Sequence, residues 1–274
     1  MSVEKFKTAV DSGDILGAIL SLDTFLSPNT IHFSLGWTNA LVYAIRNDMG
    51  CLVPIMLERE FYPNTQCKQG KSALHFAIEC IPRDMGIVKA LLGAGANVNL
   101  SDDDDWTPLH YASRWGDAEV AKLLLDRGAD VSLPDSEGDL PIHIATRYGN
   151  EEMLRVLLNA GSNPNIKDGS AKTPLLIAVI WGHVGIIKLL LKAGVEVDAR
   201  DSRGRAALHY LDQHGDHPQT QEIALALLKA GASVYTKDNT NHTPIESVRR
   251  ARCIRLARLL EESTITVGVQ ECEI

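Results

Sequence analysis

Apolar residues along this chain recur in two short clusters that keep step with each other. The first cluster opens a segment, in the phrases Ser72-Ala73-Leu74-His75, Thr107-Pro108-Leu109-His110, Leu140-Pro141-Ile142-His143, Thr173-Pro174-Leu175-Leu176, Ala206-Ala207-Leu208-His209 and Thr243-Pro244-Ile245-Glu246. Its second position falls at 73, 108, 141, 174, 207 and 244, at gaps of 35, 33, 33, 33 and 37 residues. The second cluster is a Leu-Leu pair followed by glycine: Leu91-Leu92 with Gly95, Leu124-Leu125 with Gly128, Leu157-Leu158 with Gly161, Leu190-Leu191 with Gly194, Leu227-Leu228 with Gly231. Two phrases locked to one period of about 33 residues indicate a single supersecondary unit stacked many times. Such stacks are usually surfaces for gripping a partner rather than pockets for chemistry.

Within one period the pattern predicts two helices. Over residues 102–134, Thr107 is placed to cap the first helix and Pro108 occupies its first turn, where a missing N–H costs nothing. Leu109 and Ala112 face inward, and Gly116 ends the helix where a positive φ is needed. Val120, Leu123 and Leu124 then recur at helical spacing as the apolar face of the second helix, which Gly128 terminates. Burying one such leucine contributes roughly 1.5–3 kcal/mol, too little for a lone unit to offset its chain entropy, so neighbours must share a core.

Thr-Pro-Leu-His opening a helix, a Gly-Asp turn, a Leu-Leu pair and a Gly-Ala-Asp-Val tail, here Thr107 to His110, Gly116-Asp117, Leu124-Leu125 and Gly128 to Val131, resemble the ankyrin repeat family. The resemblance implies an all-α ankyrin-repeat solenoid of helix-turn-helix units with hairpin-like fingers, used for non-catalytic protein binding. It divides the chain into residues 1–33 (a degenerate cap), 34–66, 67–101, 102–134, 135–167, 168–200, 201–237 and 238–262 (a capping repeat), with a tail at 263–274. The ends are worn. Ala9, Gly13, Asp14, Ile19 and Leu20 fit only the second half of a repeat, Asp48 and Arg252 stand at turn-glycine positions, and Pro54 is expected to bend or shorten its helix. The stretch Thr264 to Val269 alternates like a strand.

Composition narrows the setting. Hydrophobic residues make up 45% of the chain and aromatic ones 5%, which suits thin aliphatic interfaces between helix pairs. No secretory leader and no run of 18 uncharged apolar residues is visible. Five scattered cysteines without a Cys-x-x-Cys read as reduced thiols, so a cytoplasmic or nuclear setting is expected. A net charge of −8 disfavours nucleic acid and anionic membrane as partners.

Candidate chemistry is absorbed by the period. His75, His110, His143 and His209 recur at the repeat and read as helix-start histidines bonded to backbone. His209, His214 and His217, with Asp212 and Asp216, crowd a four-residue insertion that could form a metal site, though a structural reading is preferred. Asp102 to Asp105 lack the alternation, glycine and distal glutamate of a calcium loop and read as a solvated acidic finger. No catalytic residue, cofactor or metal is therefore assigned, and the chain is not expected to be an enzyme. Glu271 to Ile274 fit a short terminal peptide ligand of the PDZ type, and Asn99 sits where ankyrin asparagines can be hydroxylated.

The resemblance places the two residues before each turn glycine on the concave face. Those pairs include Arg114-Trp115, Arg147-Tyr148 and Ile180-Trp181, so Trp115, Tyr148 and Trp181 would form a ladder about 20 Å long beside Arg114 and Arg147. Both partner binding and packing on the next helix remain open for these rings. Finger positions add Trp106, Asp103 and Asp104, then Ser136, Glu137 and Asp139, then Lys172, then Ser202, Arg203 and Arg205, acidic first and basic later. Arg249, Arg250, Arg252, Arg255 and Arg258 continue the basic end. The expected partner-binding set is Trp106, Arg114, Trp115, Arg147, Tyr148, Trp181, Arg203 and Arg205. The expected function is that of an adaptor, scaffold or inhibitor, monomeric and engaging another protein. The alternatives are a transcriptional co-regulator acting on a DNA-binding protein and an accessory factor or enzyme of a metabolic pathway.

Overall fold

The computed structural model describes residues 2–22, 40–67, 69–80 and 84–270, with side chains from residue 4 to residue 263 of these. All described elements are helices, and none is long and apolar enough to cross a membrane. They group into two compact units, Met1–Ser136 and Glu137–Ile274.

The first unit holds four helix pairs: α1 (Ser2–Asp11) with α2 (Ile15–Leu22), α3 (Ala40–Arg46) with α4 (Leu52–Glu58), α5 (Ala73–Glu79) with α6 (Met85–Gly93), and α7 (Pro108–Trp115) with α8 (Ala118–Asp126). The N-terminal segment is thus a pair of helices, rather than only the second half of a repeat. Pro54 lies at the third position of α4, in the first turn, where no intrahelical N–H is lost. The helix begins late and runs 7 residues, against 9 in α6 and α8.

The second unit holds α9 (Pro141–Arg147) with α10 (Glu151–Asn159), α11 (Pro174–Trp181) with α12 (Val184–Lys192), a 3₁₀ helix (Ala207–Gln213) with α13 (Pro218–Lys229), and α14 (Pro244–Arg250) with α15 (Ile254–Gln270). The alternating stretch 264–269 continues α15 instead of forming a strand. A period of two needs a neighbouring strand to reward it, and the described residues offer none, whereas a helix already under way extends one bond at a time. The terminal residues 271–274, with Cys272, lie outside the described residues.

The first leucine of each Leu-Leu pair, at 91, 124, 157, 190 and 227, is fully buried. Leu74, Leu91, Leu109, Leu124, Ile142 and Met153 are among the largest side chains fully removed from solvent. Apart from α5 with α6, the pairs take positive φ at the described turn positions: Gly116 at 69°, Gly149 at 75° and Gly182 at 73°, but also Asp48 at 59° and Arg252 at 62°. The worn repeats therefore keep the left-handed turn and bear its strain on a side chain.

Four histidines act as built-in caps. Nδ1 of His75 accepts the Ser72 backbone N–H at 3.0 Å, and His110, His143 and His209 do the same for Thr107, Leu140 and Ala206 at 3.1, 3.0 and 3.1 Å. That fixes the neutral tautomer with the proton on Nε2. Nε2 then donates into the following finger, to the carbonyls of Trp106 (3.1 Å), Ile166 (3.0 Å) and His242 (3.1 Å) from His75, His143 and His209. The expected Thr107 cap is shared, since its hydroxyl lies 2.9 Å from His110 Nδ1. Thr173, with leucine three residues on, caps its helix through the hydroxyl itself.

Candidate interaction surface

The surface side chains are aimed by recurrent aspartates, of which Asp102 was expected in solvent. Asp102 is buried, and its Oδ1 accepts the N–H groups of Asp104 (3.0 Å) and Trp106 (2.9 Å). Its Oδ2 accepts the Tyr111 hydroxyl at 2.6 Å. Asp201 repeats the arrangement with the N–H groups of Arg203 (2.9 Å) and Arg205 (2.8 Å) and the Tyr210 hydroxyl. Asp168 holds Ser170 and Lys172, each at 2.8 Å, and Asp238 holds Thr240 and His242 at 2.8 and 2.9 Å. A carboxylate accepting two N–H bonds closes each finger as a fixed turn. The signal was in the period, because 102, 168, 201 and 238 stand at one point of the repeat. Burial and the neighbouring carboxylate hold the Tyr111 and Tyr210 hydroxyls protonated far above their ordinary range.

In the first unit, Trp106, Arg114 and Trp115 come together. The Arg114 guanidinium lies 5.9 Å from the Trp106 ring and 5.6 Å from the Trp115 ring. Trp106 also packs edge-on against Tyr111 at 5.3 Å, so this ring is partly a packing residue. Trp115 is 43% exposed. Beside them Lys71, absent from the expected set, sits 4.9 Å over Tyr111 and pairs with Glu79 at 2.9 Å.

In the second unit, Tyr148 is 48% and Trp181 57% exposed. A groove of about 340 Å³ runs along α11, with Ile177, Ile180 and Trp181 on one side and Tyr210 and Gln213 of the 3₁₀ helix on the other. The fingers carrying Lys172 and Arg203 also line it, as does Arg147 from the end of α9. Three of the expected residues, Arg147, Trp181 and Arg203, thus share one site. Asp139, expected at a finger tip, is instead buried and binds Arg147 at 2.6 Å. Arg205 turns inward, to Asp212 at 3.1 Å and over the Tyr210 ring at 5.0 Å.

The insertion histidines and aspartates serve as struts. His214 Nε2 contacts the Val179 carbonyl at 2.7 Å, satisfying the end of α11. Asp216 accepts the N–H groups of Arg255 and Leu256, both at 3.0 Å, and so caps α15 from a distance of one repeat. Bonds to those N–H groups hold its carboxyl below the usual range against the opposing cost of burial. No group of three metal-binding side chains converges among the described residues. Asn99 is locked, accepting the Asp130 N–H at 2.8 Å and donating to the Gly128 carbonyl at 3.0 Å. The terminal arginine run is partly neutralised by Arg249–Glu261 (2.6 Å) and Arg258–Glu262 (3.3 Å).

The profile of the family described as ankyrin repeats in three copies matches residues 82–168 and 142–238, more than half of the chain. The chain belongs to the ankyrin repeat family. Similarity to individual proteins is local. It is 43% identical over 53 residues to protein phosphatase 1 regulatory subunit 12A of Mus musculus, covering 19% of this chain and 5% of that protein. It is 35% identical over 80 residues to a putative ankyrin repeat protein, FPV223, of fowlpox virus, covering 29% of this chain and 54% of that protein. It is 31% identical over 81 residues to the Notch-regulated ankyrin repeat-containing protein of Xenopus laevis, covering 28% of this chain and 69% of that one. Ankyrin repeats generally mediate protein–protein interaction and are typically non-catalytic, and these relatives are regulatory or repeat proteins.

Proposed function

We propose that this ankyrin repeat protein is a non-catalytic interaction module, an adaptor, scaffold or inhibitor that grips another protein in the cytoplasm or nucleus. The observation that carries this reading is the exposure of Trp115, Tyr148 and Trp181 (43%, 48% and 57%), each immediately before a turn glycine, at the ends of first helices whose opening six residues are buried. Exposed aromatics beside arginines have the chemistry of binding hot spots. The periodic histidines, which would be the natural acid–base groups, are committed on both ring nitrogens to backbone at His75, His143 and His209. Proximity labelling in the native cell tests the reading, comparing wild type with Trp115→Ser/Tyr148→Ser/Trp181→Ser after circular dichroism has shown that the variant folds. A discrete set of neighbours lost in the variant is expected. An unchanged set would refute the aromatic surface as the binding face.

A further inference from the structure

Building on that interaction reading, we propose that the α11 groove of the second unit takes a short, extended acidic segment of a partner protein. A large apolar side chain lies against Trp181, and carboxylates meet Lys172 and Arg203.

The argument is one of uncommitted charge. The groove is lined by Arg147, Lys172 and Arg203 and by a single carboxylate, Asp201. Asp201 is taken up by two backbone N–H groups and the Tyr210 hydroxyl. Arg147 already holds Asp139. Among the described residues no ion pair engages Lys172 or Arg203. The Asp168 and Asp201 turns nevertheless fix the backbone of both, so the two cations are presented by rigid fingers. Rigid presentation lowers the entropy lost on binding. In the same groove the exposed Trp181 ring and Ile180 offer apolar surface. A volume of about 340 Å³ accommodates a few side chains, at the lower end of the ~300–1,000 Å³ range of ligand clefts. The chain as a whole, at net charge −8, repels a long polyanion such as nucleic acid. A short acidic segment escapes most of that repulsion and feels the local cations.

Selection of a random 12-residue peptide display library on the biotinylated full-length chain tests the proposal. Synthetic copies of the recovered peptides are then titrated by fluorescence polarisation against wild type, Lys172→Glu/Arg203→Glu, Trp181→Ser and the control reversal Arg127→Glu/Arg155→Glu. Circular dichroism and unfolding midpoints verify that each variant folds. The expected result is enrichment of Asp and Glu next to a large apolar residue. Affinity should fall about tenfold or more in Lys172→Glu/Arg203→Glu, the sum of two reversed ion pairs, and by a similar factor in Trp181→Ser, which loses the apolar anchor, and stay near wild type in the control. The proposal is overturned by any of four results: recovery of no peptide, absence of acidic enrichment, equal loss in the control, or displacement of the peptide by a mixed 12-nucleotide single strand at matching concentration. Peptides without acidic residues that still depend on Trp181 would overturn this inference and leave the interaction reading standing. That reading fails separately, on the proximity comparison.

Discussion

Arg252 and Asp48 stand where their neighbours carry glycine, at φ of 62° and 59°. A left-handed conformation costs an ordinary residue roughly 1–2 kcal/mol, part of which glycine returns as chain entropy. Arg252→Gly is therefore expected to raise the unfolding free energy by about 0.5–1 kcal/mol in urea titrations. Gly138 is the opposite case, because a Cβ there would sit 2.8 Å from the Gly169 backbone nitrogen at a φ of +81°. The buried histidines set a pH dependence. Burial pushes His75 down to about 4 and lowers His143 and His209, outweighing the carbonyl bonds that favour protonation. The unfolded chain, with histidine near 6.5, binds more protons than the native one in this window. The stability these groups contribute is thus complete above pH 6.5 and lost as pH falls toward 4, by roughly 3 kcal/mol at pH 4 for His75 alone. Urea midpoints at pH 7, 5.5 and 4.5 check the trend. Asp238, held down to about 2 by its turn and by Thr240 despite some desolvation, loses its contribution only in the lower window between 3.8 and 2.

At the scale of the element, four fingers are each held by one aspartate (Asp102, Asp168, Asp201, Asp238), and four first helices by a histidine three positions into them. Asp201→Ala removes the acceptor of two N–H groups and of the Tyr210 hydroxyl, and the orphaned groups should cost about 1–3 kcal/mol. Tyr210→Phe should be milder, since the carboxylate keeps its backbone donors. The insertion works at longer range. Asp216→Ala uncaps α15, and the loss should appear in hydrogen exchange as reduced protection of α14 and α15, with α9 to α12 unchanged. A stack whose repeats bind only their neighbours confines damage in that way. Uniform loss of protection would count against this account.

At the scale of the molecule, the regular residues build the stack and the irregular ones make the surface. Trp115→Ala and Trp181→Ala should each weaken partner binding by about 2 kcal/mol or more at unchanged helix content if the rings are anchors. A lower unfolding midpoint with intact binding would make them packing residues. Their 43% and 57% exposure favours the first outcome, whereas Trp106, packed edge-on against Tyr111 and close to His110, should show the second.

The sequence by itself determined the repeat, the helix pairs and the family, because helical periodicity, capping residues and turn glycines are local signals that the period multiplies. It also located the exposed rings of Trp115, Tyr148 and Trp181, since positions that depart from a repeated phrase are visible as departures, but not those of Tyr62 and Tyr235. What it left open was decided by contacts between residues that are distant in sequence but close in the folded chain. Asp102 was read as solvated and is buried, because its partner Tyr111 lies nine residues away on another element. Arg203 and Arg205 looked alike and were divided by Asp212, which claims only Arg205. Lys172 became a groove residue because α11 and the 3₁₀ helix pack side by side, and Asp216 became a cap for a helix that starts nearly forty residues later. The alternating tail joined a helix because a strand pattern is satisfied only by a neighbouring strand, a condition set by tertiary structure rather than by the alternation itself.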